Sequence, residues 1–346
     1  MEKKIKVGVV GATGYAGIEL VRILCSHPYV SLKRVSSVSF AGKCISEIYP
    51  GLKAGCNLIL DKDPNEMLDK CDVVFGSLPH GLSEEIAEKS IQKGIVFIDL
   101  GADFRLEDGD EYAKWYGCEF RNPEFHKQAV YGLPELFRED ILNTKLVANP
   151  GCYPTSVALG TYPALKNGLI DTKGIIIDSK SGVTGAGRKL SQNTHYPDCN
   201  EAFSAYKAGA HRHTPEMEQT LTKAAGVPVK VTFTPHLLPA NRGILSTIYC
   251  DKKADYETIR KCYEEAYAKE PFVVLLEEGQ YANIKNVRMS NCCHISLHQD
   301  KHTEKLIICS AIDNMVKGAA GQAIQNMNLI FGFEETCGLS VIAPPF

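Results

Sequence analysis

The sequence predicts an α/β protein with a doubly wound parallel sheet in its N-terminal half and a second α+β domain with a mixed or antiparallel sheet. The chain has 346 residues, more than one hydrophobic core usually supports. Its first 150 residues alternate short apolar runs with amphipathic stretches, the pattern of βαβ units. After Cys152, strand-like runs are set among fewer helices. We therefore expect a Rossmann-like domain of residues 1–151 with 314–346, and a second domain of residues 152–313.

The predicted elements of the first half follow its apolar runs. The expected strands lie in KIKVGVVG, VSLKRVSSVS, CDVVFGS, GIVFIDLG and KLVANP, and the expected helices in YAGIELVRILCS and SEEIAEKSIQKG. In the second half, strands are expected in GIIIDSKSG, VKVTFTPHL, GILSTIYC, PFVVLL, NCCHISLH and KLIICSAI, and a last helix from Asn314. Ligands of open parallel sheets bind beyond the carboxyl ends of the strands, so the residues that follow each run of the first half are candidate site residues.

Composition narrows the possible partners. Hydrophobic residues make up 44% and charged residues 23%, which is ordinary for a globular protein, and the net charge of −3 gives no basic field to attract nucleic acid or a membrane. No apolar run reaches the roughly 18 residues of a membrane span, and the N-terminus does not have the pattern of a signal peptide. We expect a cytoplasmic protein that acts on small molecules. In that reducing compartment the 13 cysteines are expected to be thiols.

The first strand-like run ends in GATGYAG, which contains Gly11, Gly14 and Gly17. This G-x-x-G-x-x-G follows a predicted strand and opens a predicted helix, so it is a variant of the dinucleotide fingerprint. Glycines allow the backbone to approach a pyrophosphate, whose charge then lies on the free N–H groups of the helix start. The alternative is a purely structural turn.

The second run indicates which dinucleotide is bound. Sites for NAD commonly carry an acid about 20 residues after the fingerprint, to bind the ribose 2′-hydroxyl. Here the sequence from Lys33 to Lys43 contains no acid, whereas Ser36, Ser37 and Lys43 suit a 2′-phosphate. NADP is therefore favoured, with a solvated strand end as the alternative.

The fifth run leads into ANPGCYPT and so places Cys152 at the start of a predicted helix. A thiol at a helix N-terminus feels the positive end of the helix dipole and ionises more readily. Most of the other cysteines lie within predicted helices or strands and are expected to be inert. No C-x-x-C pair is present, and His211 and His213 are only two residues apart, so we expect no metal site.

A reactive cysteine beside a nicotinamide suggests interconversion of an aldehyde and an activated acid through a thioester. His211 or His213 is either the acid/base for this chemistry or an ordinary surface residue. If the acid is activated as an acyl phosphate, cations and free amides must bind the departing phosphate. The glycine-rich turn Ser181–Arg188, Arg105 and Arg242 are candidates, with surface ion pairs as the alternative for each arginine.

Eight motifs together resemble the N-acetyl-gamma-glutamyl-phosphate reductases: GATGYAGIEL, LPHG, GADFR, ANPGCYPT, SGVTGAGR, HRHTPEM, PHLLPANRGI and DNMVKGAAGQAIQNMNLI. The resemblance extends from about residue 5 to residue 346. It implies reduction of an acyl phosphate by NADPH to an N-acylated glutamate semialdehyde and phosphate, in arginine biosynthesis. It also implies a homo-oligomer, dimer or tetramer, associated through the second domain.

The resemblance implies a role for each residue that matches a motif. Cys152 would be the nucleophile, and His213 the acid/base with His211 as the alternate. The residues expected at the cofactor are Gly11, Thr13, Gly14, Tyr15, Gly17, Ser36, Ser37, Lys43, Leu78, Pro79, His80, Ser181, Gly182, Asn314 and Gly318. The residues expected at the substrate are Arg105, Asn149, Ser181, Gly185, Arg188 and His211.

Three questions stay open from the sequence. Relatives often carry an arginine after the second strand, where this chain has Val38, and Lys43 is the residue that could replace it. The N-acyl group of the substrate could be acetyl, succinyl or a carrier protein, and a different acyl phosphate such as aspartyl phosphate would need the same chemistry. A non-catalytic NADP-binding regulator is the alternative from another class of protein.

Overall fold

The computed structural model describes residues 4–345, which form two compact units. The first unit comprises the residues up to Pro150 together with Ala319–Leu339, and the second comprises Gly151–Gly318 with the residues from Ser340 onward. The expected boundaries need correction, because Gly151, residues 314–318 and residues 340–345 belong to the second unit. Gly318 packs against Cys152, and the amide of Asn291 donates to the carbonyl oxygen of Ser340.

The strands of the described residues, in chain order, are β1 Ile5–Val10, β2 Val30–Ser36, β3 Leu60–Asp61, β4 Val73–Gly76, β5 Val96–Asp99, β6 Val130–Tyr131, β7 Leu146–Ala148, β8 Ile175–Gly182, β9 Ser204–Ala205, β10 Val231–Leu238, β11 Ile244–Asp251, β12 Val273–Leu275, β13 Cys293–Gln299 and β14 Lys305–Ile312. All the strands expected from the apolar runs form. The two-residue strands β3, β6 and β9 were not expected.

The α-helices of the same residues are α1 Tyr15–Leu24, α2 Ile45–Ile48, α3 Glu84–Gln92, α4 Gly109–Tyr116, α5 Pro123–His126, α6 Pro134–Leu142, α7 Cys152–Lys166, α8 Tyr196–Cys199, α9 His213–Ala225, α10 Tyr256–Tyr267 and α11 Gly321–Ile330. The last helix starts later than predicted. A π-helical turn, Val316–Ala320, precedes α11. The Asp313 carboxylate accepts the amides of Met315 and Val316, so the chain turns there before the regular helix begins.

The first unit contains a parallel sheet with strand order β3-β2-β1-β4-β5-β7-β6. The strand order reverses between β1 and β4, and such a switch point opens a crevice for ligands beyond the carboxyl ends of the two strands. β4 and β5 are buried throughout, as expected of central parallel strands with both faces covered. The predicted doubly wound sheet is confirmed.

The second unit contains a mixed sheet with strand order β12-β13-β14-β11-β8-β10-β9. Its neighbours are antiparallel except for the pairs β8–β10 and β12–β13. Helix α7 covers one face of this sheet at very close range, since a Cβ on Gly160 would lie 3.2 Å from side-chain atoms of both Ile248 and Ser310. The predicted second sheet is also confirmed.

Candidate active site

Cys152 is the first residue of α7, and its side chain is half-buried. The N-cap, Gly151, has extended backbone angles, and no side chain caps the helix. The start of α7 therefore presents backbone N–H groups and the positive end of the helix dipole next to the sulfur. This setting favours the thiolate form of a cysteine.

Two further residues of the second unit fix the surroundings of Cys152. The Gly151 amide donates to Glu216 Oε1 over 2.7 Å, which ties the start of α7 to α9. Gly318 packs so tightly that an added Cβ would lie 2.8 Å from the Cβ of Cys152. The structure thus places Gly318 at the cysteine, and only a glycine fits there without a shift of Cys152.

The two histidines of the HRH motif lie at the start of α9 and pack on the residue that follows Cys152. The rings of His211 and His213 are 4.9 Å apart, and their centroids are 5.5 and 5.9 Å from that of Tyr153. The His213 amide donates to His211 Nδ1 over 3.1 Å. Since Nδ1 accepts this hydrogen bond, neutral His211 carries its proton on Nε2.

The surroundings of His211 determine its charge. Burial first, and then the positive charges of Lys207 and Arg212, lower the pKa of His211 to about 4. His211 is therefore neutral near pH 7 and can offer an N–H donor from Nε2.

A pair of tyrosines extends the cluster. The hydroxyls of Tyr153 and Tyr206 are 2.9 Å apart, and the Tyr206 ring packs edge-on against His211. Burial is the first cause that raises the pKa of Tyr206, to about 12, so it is a neutral hydroxyl near pH 7. The predicted site residues included neither tyrosine, although Tyr153 directly follows the predicted nucleophile.

The turn that follows β8 lies in the same unit. Ser181 is buried, and an added Cβ on Gly185 would lie 3.2 Å from Ser181 Oγ and 3.8 Å from Asn314 Nδ2. Asn314 joins two loops, because its Oδ1 accepts the Gly243 amide over 2.8 Å and its Nδ2 donates to Thr184 over 2.9 Å. Arg188 is exposed at the far end of the turn.

The predicted dinucleotide loop of the first unit has the backbone that the fingerprint requires. Gly11 has φ +75°, and its Cβ would lie 2.2 Å from the Ser77 oxygen; the Cβ of Gly17 would lie 2.2 Å from the Gly11 oxygen. Gly14 is the N-cap of α1, which no side chain caps, and its Cβ would meet only the Gly11 oxygen, at 3.5 Å. The uncapped amides and the open space at Gly14 fit a diphosphate.

The end of β2 lies next to this loop. Thr13 and Ser37 share a buried hydrogen bond of 2.7 Å, and Ser36 is buried. Asp61 of β3 lies at this edge, and its carboxylate is bound by both Nε and an amino group of Arg34, at 2.7 and 2.6 Å. Lys43 and Val38 are exposed, the latter to 78%.

The remaining predicted residues of the first unit follow β4, β5 and β7. Leu78 is half-buried, and Pro79 and His80 are exposed, with His80 packed on Tyr116. Arg105 is buried and donates to the carbonyl oxygens of Asn149 and Leu100, each over 2.8 Å. Asn149 in turn donates to the Ala319 oxygen and accepts from Asn326. Arg105 is therefore not a residue of a surface ion pair.

Two models of known families match the chain. The description "Semialdehyde dehydrogenase, NAD binding domain" matches residues 6–144, and "Semialdehyde dehydrogenase, dimerisation domain" matches residues 152–314. Relatives named N-acetyl-gamma-glutamyl-phosphate reductase include those of Clostridium beijerinckii, 57% identical over 99% of this chain and 100% of the relative, and Brachyspira hyodysenteriae, 54% identical over the same shares. The chain belongs to the N-acetyl-gamma-glutamyl-phosphate reductase family.

Solved structures with a similar fold agree with this family. An aspartate semialdehyde dehydrogenase II from Vibrio cholerae, complexed with ASA, has a TM-score of 0.75 at 16% identity and covers 96% of this chain and 99% of its own. An aspartate semialdehyde dehydrogenase with NADP from Candida albicans has a TM-score of 0.67 at 16% identity, with 95% and 99% covered. As a member of the reductase family, the chain is an oxidoreductase whose first unit binds a nicotinamide nucleotide.

The site of this reductase family member can thus be described within each unit. In the second unit, Gly318 packs on Cys152, both histidines pack on Tyr153, and Gly185 lies beside Ser181 and Asn314. In the first unit, Thr13 of the glycine loop is bonded to Ser37, and Arg105 to Asn149. Lys43 and Arg188 are exposed. Within residues 4–345 no group of three or more His, Cys, Asp or Glu side chains could bind a metal ion, and no helix is long and apolar enough to span a membrane.

Proposed function

We propose that the protein reduces N-acetyl-gamma-glutamyl phosphate to N-acetylglutamate 5-semialdehyde with NADPH and releases phosphate, as a step of arginine biosynthesis. The observation that carries this proposal is the half-buried Cys152 at the uncapped start of α7, whose neighbour Tyr153 packs against His211 and His213. The names of the close relatives support the same substrate.

In the first step, the thiolate of Cys152 bonds to the acyl carbon, and the bond from that carbon to the phosphate oxygen breaks. Phosphate leaves with the electron pair, and a thioester remains. His213 accepts the thiol proton before the attack. His211 donates a hydrogen bond from Nε2–H to an oxygen of the acyl phosphate and keeps its proton, because its Nδ1 accepts the His213 amide.

NADPH, when bound, supplies the hydride that reduces the thioester carbon. The carbon–sulfur bond then breaks, the aldehyde leaves, and the sulfur takes back the electron pair. His213 returns its proton to the sulfur after the product has left, so the enzyme ends in its starting state. The departing phosphate takes one proton from water, so the reaction consumes one NADPH and one proton, and the protein itself neither gains nor loses a proton over the cycle.

The glycine loop is the proposed site of the diphosphate, with Thr13, Tyr15 and the loop Leu78–His80 around the dinucleotide. We favour NADP over NAD because Asp61, the acid at this edge, is already bound by Arg34. Lys43 supplies an exposed cation, and Ser36 and Ser37 supply hydroxyls. In the second unit, the residues proposed to contact the cofactor are Ser181, Gly182, Asn314 and Gly318.

Arg105 is the proposed ligand of the departing phosphate. Its guanidinium is oriented by the carbonyls of Asn149 and Leu100, so little side-chain freedom remains to be lost on binding. Asn149 supports that orientation through its own bonds to Ala319 and Asn326. Ser181, Gly185 and Arg188 are proposed to bind the rest of the substrate.

The second unit is the proposed contact between copies of the chain in a dimer or tetramer. One face of its sheet is covered by α7, whereas the other carries exposed apolar side chains such as Ile176 of β8, which is 45% exposed. The family description of this region as a dimerisation domain supports a second copy as the occupant. A monomer by light scattering would contradict this, and cell fractionation would test the proposed cytoplasmic location.

The decisive experiment is the reverse reaction: reduction of NADP by N-acyl-glutamate semialdehyde plus phosphate. We expect turnover that requires phosphate and is fastest with the N-acetyl substrate and with NADP. Succinyl, carrier-linked and aspartyl semialdehydes tested in parallel distinguish the alternative substrates. Absence of phosphate-dependent turnover with every substrate would refute the proposed reaction and leave a nucleotide-binding regulator as the better interpretation.

A further inference from the structure

Helix α3 begins at an N-cap serine that does not cap it. Ser83 donates its hydroxyl to Asp99 Oδ1 over 2.7 Å instead of bonding to an amide of the first turn. The backbone at this helix start is bound by Asp103 instead. Its two carboxylate oxygens accept the amides of Gly81 over 2.6 Å and Ser83 over 2.8 Å. A carboxylate from the loop after β5 thus binds the chain where the loop after β4 ends.

This bonding involves two fully buried carboxyl groups. Asp99 and Asp103 are both 0% exposed. Asp103 also accepts the Tyr112 hydroxyl. Asp99 accepts the Gly101 amide besides Ser83, and its Oδ2 makes no hydrogen bond within residues 4–345. Burial first, and then the charge of Asp103, raise the pKa of Asp99.

The segment held in this way is the loop proposed to contact the dinucleotide, residues 78–81, called here the nucleotide loop. An added Cβ on Gly101 would lie 3.3 Å from the Leu78 oxygen and 3.0 Å from Asp99, so the segment after β5 packs against the beginning of the loop. The Leu78 side chain lies 3.7 Å from the Cβ position of Gly11. A shift of the nucleotide loop would therefore move a wall of the space beside the glycine loop.

We infer that Asp103 is a positioning residue for the nucleotide loop: its carboxylate fixes the amides of Gly81 and Ser83, and so holds the exposed Pro79 and His80 where the dinucleotide binds. Asp99 supports it by holding the hydroxyl of Ser83. Asp103 itself is buried and acts through the backbone of the loop. The inference rests on the proposed function, since the loop needs a dinucleotide to act on.

The test is substitution of Asp103 by Asn, with NADPH affinity measured by fluorescence titration on the full-length protein. Asparagine keeps the size but presents an NH2 group to one of the two amides, so one charge-assisted hydrogen bond is lost and a donor faces a donor. We expect the Kd and KM for NADPH to rise about tenfold, with kcat falling less than about threefold. Glu335→Gln is the matched control, because Glu335 is a partly buried carboxylate of the same unit that bonds to Gln325 and Arg138 elsewhere.

A second measurement keeps the inference testable if Asp103→Asn is poorly stable. Ser83→Ala removes only the bond to Asp99, and it should raise the Kd for NADPH about threefold. Amide hydrogen exchange should become faster at Gly81 and Ser83 in Asp103→Asn, and not elsewhere in the first unit. Wild-type NADPH affinity in both Asp103→Asn and Ser83→Ala would overturn the inference. Failure of the wild-type protein to bind NADPH would instead refute the proposed function.

Discussion

The starts of α1 and α7 are built alike and are proposed to do different work. Each follows a strand of the parallel sheet, and each begins after a glycine in extended conformation, with φ −72° and ψ 166° at Gly14 and φ −68° and ψ 153° at Gly151. Neither helix is capped by a side chain. Both therefore carry the partial positive charge of a helix N-terminus.

The difference lies in what faces each helix start. At α1 the glycines leave open space, so the stabilised anion must come from a ligand. At α7 the buried carboxylate of Glu216 accepts the N-cap amide of Gly151, and the residue that follows is Cys152, so the anion proposed to form there is a thiolate of the chain itself. At α3 the buried carboxylate of Asp103 likewise accepts the N-cap amide, that of Ser83, and no thiol follows. The same backbone device thus serves binding, nucleophilic catalysis or structure, according to the side chains around it.

Removal of the Cys152 sulfur should abolish the proposed catalysis at the start of α7 and leave NADPH binding at the start of α1 intact. Cys152→Ser should lower kcat at least about a thousandfold, because an alcohol neither ionises as readily nor leaves as well from the tetrahedral intermediate. The Kd for NADPH should stay within about twofold, as the glycine loop is unchanged. Cys309→Ser, at another half-buried thiol, is the matched control and should retain activity. Substantial activity in Cys152→Ser would contradict the thioester mechanism.

The histidines should show a smaller but still large effect. His213→Ala should lower kcat roughly a hundredfold and remove the acidic limb of the pH–rate profile, because protonation of the base stops proton acceptance. His211→Asn should mainly raise the KM for substrate and keep that limb, since the pKa of His211 is only about 4. The profiles are to be measured for both variants from pH 5 to 9. An acidic limb that disappears with His211 instead would reverse the two roles.

The features found from the sequence are those with a local pattern. Apolar runs marked the longer strands, and a glycine fingerprint after such a run marked the start of α1. The position of Cys152 followed from the residue order strand, glycine, cysteine, helix. Strands β3 and β6 have two residues each, too few for a periodic pattern.

What the sequence could not show depends on contacts between residues distant in the chain. Nothing local to Glu216 indicates that it accepts the Gly151 amide, and nothing near Ser83 indicates that Asp99 and Asp103 meet there. The assignment of residues 314–318 to the second unit has the same origin. Gly318 belongs to that unit because it packs tightly against Cys152, and no break in the sequence pattern marks this. The burial of Arg105 likewise depends on contacts with residues distant in the chain, such as Asn149, and not on a local sequence pattern.

Substitution of two glycines in the dinucleotide loop separates nucleotide binding at the start of α1 from the stability of the fold. Gly14→Ala adds a methyl group into space that the protein leaves open, so the fold should be unaffected while the Kd for NADPH rises about tenfold. Gly17→Ala forces a methyl group to 2.2 Å from the Gly11 oxygen, so the melting temperature should fall as well. Titration and thermal unfolding of both variants separate the two effects. Unchanged NADPH affinity in Gly14→Ala would mean that no phosphate approaches this helix start.

Substitution of Lys43 tests whether the site at the start of α1 prefers NADPH over NADH. Lys43→Ala should raise the KM for NADPH about threefold and leave the KM for NADH unchanged, because an exposed lysine contributes only modestly to binding of a solvated phosphate. Lys53→Ala, at another exposed lysine of the same unit, is the control. Equal changes for both dinucleotides would assign the 2′-phosphate to another residue.

The smallest effect that we predict concerns Asp99 at the start of α3, which should make the stability of the protein depend on pH. Burial and the charge of Asp103 raise the pKa of Asp99 to about 7, and Arg105 opposes this only partly. A group whose pKa is raised on folding stabilises the protein below its unfolded pKa and loses that contribution as pH rises through the folded value. The melting temperature of the wild-type protein should therefore fall between pH 6 and 8, by roughly 2–4 °C more than that of Asp99→Asn. Asparagine stays neutral throughout and keeps an oxygen to accept from Ser83 and Gly101. Parallel pH dependence in the two proteins would show that the pKa of Asp99 is not raised on folding.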